Sequence, residues 1–219
     1  MTFSQDLALA APELILAVGA LGLLVIGAFS PRATTALMIA SIGALVIAAW
    51  AAAVGPAGRG FSGGMVADSA SAFAKVAIYL ASAVAILLGQ KWFERKAIRN
   101  FEFPILVLLA ALGMGMMASS GDLISLYMGV ELHSLALYVL AAMHREDVKA
   151  SEAGLKYFVL GALSSGLLLY GASLVYGFAG SLGTVHLEGI RYIPKGVPAR
   201  TLLIYMHPAT TLQLLPMPR

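Results

Sequence analysis

The sequence has no cysteine. Disulfides, cysteine-ligated zinc and cysteine-ligated iron–sulfur clusters are therefore excluded on this chain, and nothing follows about redox compartment. Charge is scarce as well. Asp, Glu, Lys and Arg make up 11% of the 219 residues, against about 25% in ordinary soluble domains. With 60% hydrophobic residues and a mean hydropathy of +0.88, the apolar surface exceeds what a water-soluble core can hide. The composition indicates an integral membrane protein. The net charge of +3 and pI near 9.2 reflect loop lysines and arginines, so no nucleic-acid partner is expected. No basic stretch precedes the first apolar run, which opens after Gln5 and Asp6, and no cleaved signal peptide is expected. Phosphate-binding glycine loops, nucleophile elbows and zinc-binding helix motifs are missing. No flavin, nicotinamide, haem or metal site is read on this chain.

What is present is a series of apolar runs, each near the roughly 20 residues that span a bilayer as a helix. The expected spans are 12–29, 34–54, 70–88, 103–118, 122–143 and 155–178, giving an all-α polytopic bundle of about six transmembrane helices. Pro12 and Glu13 suit a helix start. Asp68 or Ser69 can cap the third span, and Asp122 the fifth. The links are a break at Ser30-Pro31-Arg32, the glycine-rich loop GPAGRGFSGGMVADS, the basic stretch QKWFERKAIRN, the turn SSGD and the charged hinge HREDVKASEAG. Loop lysines and arginines favour the cytoplasm. Arg32, Lys91, Arg95, Lys96, Arg99, Arg145 and Lys149 fall on one side, and Arg59 alone on the other. This predicts a periplasmic N-terminus. From Ser181 onward the chain is rich in proline, with Arg191, Lys195, Arg200 and Arg219 against the orientation rule. It reads either as an extramembrane tail or as sequence from a shifted frame.

Ionisable residues inside the spans are the functional candidates, because each costs about 2.5–3.5 kcal/mol at a helix centre by insertion scales. Glu131 lies roughly 13 Å into the fifth span at 1.5 Å per residue, too deep to reach water easily. A carboxyl held between burial and a neighbouring cation can take and release protons, as a proton path requires. The plainer reading is a protonated acid hydrogen-bonded to the next helix. Lys156, at the start of the sixth span, is on position alone at least as well read as a snorkelling interfacial lysine. Lys75 is read as snorkelling, and Glu13 as a helix-start carboxylate. His133 lies about 200° round the helix from Glu131. It is read as an imidazole packed on a neighbouring helix, with a proton relay as the alternative. Gly154, Gly161, Ser165 and Ala172 line one side of the sixth span; with Gly113 and Gly115 they predict close helix contacts.

The runs SLYMGVELHSLALYVLAA and EAGLKYFVLGALSSGLLLYGASLVYGFAG, at their fixed separation, resemble subunit N of bacterial proton-pumping NADH–quinone oxidoreductase (respiratory complex I). The resemblance covers about residues 1–180 and is strongest over 102–180. It implies the first part of an antiporter-like inverted-repeat fold: residues 1–100 as three N-terminal helices, 101–180 as the first three helices of a proton-translocating repeat, and 181–219 as a non-membrane tail without counterpart. A truncated or frame-shifted chain is the expectation for that tail. The family's key glutamate falls on Glu131 and a family lysine on Lys156, which raises Lys156 above the snorkelling reading. The resemblance further implies partners among the other membrane subunits of the complex and the lipid bilayer of the bacterial inner membrane. It places NAD, FMN, iron–sulfur clusters and quinone in partner subunits, and no cofactor on this chain. The alternatives are a subunit of a multisubunit cation/proton antiporter and a membrane fragment that packs but transports nothing.

Overall fold

A computed structural model gives the fold and describes residues 3–30, 34–95, 101–144 and 146–183. The proline-rich stretch from 184 onward and the loop charges Arg32, Lys96, Arg99 and Arg145 lie outside the described residues. The elements in order are α1 (Phe3–Leu9), α2 (Ala11–Phe29), α3 (Thr34–Val54), a hairpin of β1 (Gly58–Gly60) and β2 (Met65–Ala67), α4 (Ser69–Arg95), α5 (Glu102–Ala118), α6 (Leu123–Ala141) and α7 (Val148–Ala179). Among the described residues five helices, α2, α3, α4, α6 and α7, are long and apolar enough to cross a membrane; α5 is a shorter apolar helix. This is a multi-pass membrane bundle with the six apolar helices expected.

The helix starts follow from local chemistry. Asp68 accepts the Ser71 N–H at 2.7 Å while Ser71 Oγ accepts the Asp68 N–H at 2.9 Å, a reciprocal cap at the start of α4. Asp122 accepts the Ser125 N–H at 2.5 Å and starts α6. At the C-terminal end of α7, Gly180 closes the helix in the left-handed conformation, φ 69°, where glycine meets no Cβ clash.

α5 is the central helix. It packs against α2, α3, α4 and α6, whereas α7 packs on α6. The core joins Leu16 and Ala20 of α2, Leu45 and Ala48 of α3, Tyr79 and Ile86 of α4, and Ile105 and Leu108 of α5. The α5–α6 crossing is close because both helices present glycine there. A Cβ on Gly113 would stand 2.6 Å from the His133 backbone nitrogen, and one on Gly129 would stand 2.9 Å from the Gly113 carbonyl oxygen. The small face expected on the sixth span meets α6. Gly154 sits on Ala142, Gly161 on the Tyr138 hydroxyl, and Ala172 is buried.

Three expectations are corrected. The glycine-rich loop is a hairpin. Its β1–β2 turn docks on the α5–α6 turn through Val66 N–H to the Ser119 carbonyl (2.8 Å) and Gly121 N–H to the Gly64 carbonyl (2.9 Å). The third span continues to Arg95, so the first basic residues of its loop are helical. The charged hinge is only a short turn, since α7 starts at Val148 rather than near Leu155. Asp147 caps it by accepting the Lys149 N–H at 2.9 Å, and a Glu152–Lys156 pair at helical spacing supports the first turns.

Candidate functional site

Glu131 lies in the middle of α6, about 12 Å from the helix start at 1.5 Å per residue. Its carboxylate faces α7, where Ser165 Oγ donates to Oε2 at 2.5 Å. The Tyr127 hydroxyl, one turn earlier on the same face of α6, lies 3.2 Å from Ser165 Oγ. Serine has one hydroxyl proton, so when it bonds Glu131 its oxygen is free to accept from Tyr127. The result is a directional chain, Tyr127 to Ser165 to Glu131, along the α6–α7 seam. The Ser165 hydroxyl is admitted by the small face of α7, so the same residues that let the helices approach also place the donor. Tyr127 escaped the sequence reading, although its i−4 spacing from Glu131 was a usable signal. Ser165 was noted only for its size.

His133 faces the other way. Its Nδ1 stands 3.2 Å from the Ala110 carbonyl oxygen of α5. A carbonyl only accepts, so Nδ1 carries the proton in this contact. The imidazole packs on a neighbouring helix, away from Glu131.

Lys156 and Glu131 are not brought together. Lys156 Nζ pairs with Glu152 Oε1 at 2.6 Å on the exposed side of α7. Nine residues separate Lys156 from Ser165, about half a turn round the axis and about 13.5 Å along it. Sequence proximity of the two motifs therefore does not become contact. The outer face of α7 is apolar and bare: only 6% of its membrane-length stretch is buried.

Lys75 does not snorkel, and Glu13 is more than a helix-start carboxylate. Glu13 stands in the first turn of α2 as expected, but it turns inward. Lys75 Nζ lies 2.5 Å from Glu13 Oε1, with both side chains buried. The residues sit on different helices, and no spacing rule links them. Asp68 guards the nearby start of α4; bonds from the Ser71 N–H and then the Ser71 hydroxyl hold its carboxyl below the usual 3.8. No cluster of three or more His, Asp or Glu able to hold a metal occurs among the described residues.

Comparison with known proteins agrees with the resemblance read from the motifs. Residues 120–210 match the family described as NADH:quinone oxidoreductase/Mrp antiporter, transmembrane. The chain is 54% identical over 184 residues to NADH-quinone oxidoreductase subunit N of Maricaulis maris, covering 82% of this chain and 38% of that protein. It is 50% identical over 224 residues to the subunit N of Rhizorhabdus wittichii, covering 94% of this chain and 47% of that one. The likeness thus runs past Gly180, where the recognisable motifs end. In structure, the chain is similar to one from respiratory complex I of Thermus thermophilus with bound aureothin: TM-score 0.65, 30% identity, 84% of this chain and 40% of that one. A chain of the archaeal membrane-bound sulfane sulfur reductase shares the fold, with TM-score 0.63 at 22% identity. The chain spans about 40% to half the length of these curated relatives.

Proposed function

We propose that this chain is part of the membrane arm of a proton-pumping NADH–quinone oxidoreductase and contributes a segment of its proton path at Glu131. Electron transfer from NADH to quinone takes place elsewhere, with NAD, FMN, iron–sulfur clusters and quinone held by partner subunits. The observation that carries the reading is the Tyr127–Ser165–Glu131 chain, half-buried between two membrane helices. An ionisable group at that depth is a functional site by default. The high identity to proteins named subunit N supports this reading over the antiporter alternative.

The chemistry is a proton hop. Ser165 passes its hydroxyl proton to the Glu131 carboxylate and takes another on its oxygen from Tyr127 or from water. A hydronium reprotonates Tyr127 where it has donated, Glu131 releases its proton to the next acceptor along the path, and reorientation of the two hydroxyls then resets the chain. Lys156 is the second residue of the path. It approaches from the outer face of α7, resting on Glu152, and acts toward whatever covers that face rather than directly on Glu131. The companions on that face are other membrane subunits and lipid of the inner membrane. The N-terminus and hairpin lie on the periplasmic side.

Glu131→Gln in respiratory membranes carrying the assembled complex tests the assignment. NADH-driven proton uptake should fall while the complex still assembles; undiminished uptake removes Glu131 from the path. Rescue of salt-sensitive growth by this gene would instead favour the antiporter. Failure of the chain to co-purify with other respiratory subunits would favour a non-transporting fragment.

A further inference from the structure

A second cluster of buried polar groups lies on the opposite side of α5 from Glu131. Lys75 of α4 and Glu13 of α2 meet at 2.5 Å, with side chains only 4% and 11% exposed. Ser119 of α5 places its Oγ 3.5 Å from the same Glu13 oxygen and donates to the Gly115 carbonyl at 3.2 Å. Tyr79, one turn beyond Lys75 on the same face of α4, is fully buried and sets its hydroxyl against Gly115. Glu13 Oε2 and the Tyr79 hydroxyl have no hydrogen-bond partner among the described residues. Buried polar atoms in folded proteins find partners, and where protein supplies none, water does.

Water has a route to this cluster. A cleft of about 210 Å³ opens beside the hairpin and is lined by Pro12, Ala52, Asp68, Ser71, Ala72 and Lys75. That volume is several times the roughly 30 Å³ share of one water molecule. Lys75 therefore stands between the cleft and the interior, with Asp68 as the other charged group on the cleft wall. A purely structural account is weak. Well-packed apolar residues often replace a buried ion pair without loss of stability, whereas charged pairs within membrane helices mark ion and proton pathways.

We propose that Glu13 and Lys75, with Ser119 and Tyr79 beside them, form a second proton-exchanging site, fed by water through the cleft on the hairpin side and independent of Glu131. The steps balance. The Lys75 ammonium gives one proton to the Glu13 carboxylate, leaving a neutral amine and acid. A hydronium in the cleft returns a proton to the amine. The Glu13 acid then releases its proton inward, to water beside its second oxygen and the Tyr79 hydroxyl. One proton has moved from cleft to interior and the ion pair is restored.

The absence of cysteine makes the access route directly testable on the 219-residue chain in liposomes. Ala72→Cys in the cleft should react with a cationic, membrane-impermeant methanethiosulfonate from the hairpin side, within about tenfold of the exposed Ser62→Cys. A rate as low as that of Ala83→Cys in the core would overturn the proposal. Infrared spectra after transfer from H₂O to D₂O test exchange at the pair itself. Ammonium bands lost in Lys75→Met should shift in the unaltered chain and equally in Glu131→Gln, because the Lys75 ammonium holds the exchangeable protons of the pair. If Lys75→Met does not fold, Glu13→Gln/Lys75→Met removes both charges together and identifies the same bands. Bands that stay fixed in D₂O would refute proton exchange here and leave the Glu131 reading untouched.

Discussion

Two lysine–glutamate pairs in this molecule have almost the same length and opposite settings. Lys75–Glu13 spans 2.5 Å between two helices, with side chains 4% and 11% exposed; Lys156–Glu152 spans 2.6 Å within α7, with side chains 70% and 57% exposed. Distance does not separate them. Burial does, since a charge removed from water depends on its partner, whereas one in water has solvent as an alternative. The difference extends to the regions around them. The α2–α5 bundle is a packed core with polar groups locked inside it, whereas α6 and α7 form a limb whose outer face is exposed. The first proton candidate, Glu131, lies on the seam between that limb's two helices.

The contrast can be broken by removing one member of each pair. Lys75→Met should have the largest effect, a loss of about 3–5 kcal/mol, because Glu13 is left as an uncompensated buried charge. Thermal unfolding in detergent would measure it, and Glu13→Gln/Lys75→Met should recover most of the loss. A double variant as unstable as the sum of its parts would show that the two residues are not coupled. Ser165→Ala comes next. It removes a hydrogen bond to a charged group, worth about 1.5–3 kcal/mol, and should loosen α7 from α6, seen as faster backbone hydrogen exchange in α7 alone.

Asp68→Ala should cost about 1 kcal/mol through loss of the α4 cap. The sign of its pH dependence follows from the bonds that Ser71 makes to it. The folded-state pKa is held below the usual 3.8, so the contribution is complete above that value and is lost as pH falls through the folded pKa. Unfolding curves taken below about pH 3.8 should lose this contribution in the unaltered chain and show no such loss in Asp68→Asn. Lys156→Ala should have the smallest effect, about 0.5 kcal/mol or less for an exposed pair one turn apart. A loss well above that, measured in the same melts, would show that the outer face of α7 is covered.

Much of the bundle was legible in the residues. Runs of about 20 apolar residues define their own helices, because an unpaired backbone group has no partner in lipid. Asp68 and Asp122 mark helix starts by a local side-chain bond, and such bonds are written in neighbouring positions. The small face of α7 indicated a close helix contact without naming a partner, and the structure supplies α6. The hairpin was not legible: glycine-rich sequence allows many turns, and this one is held by backbone bonds to Ser119 and Gly121, some fifty residues away. The early start of α7 was obscured by its charge, which suits a solvated helix as well as a loop.

The sequence by itself determined that this is a membrane bundle and placed Glu131 at a depth where a carboxyl needs a reason. Both follow from local quantities, the length of apolar runs and the cost of charge in lipid. Only the tertiary structure decided which partner each ionisable group has. It gave Glu131 a serine and a tyrosine rather than Lys156, and it joined Glu13 to Lys75 across 62 positions. Such pairings depend on how helices cross and rotate, and those are set by packing between segments distant in the chain.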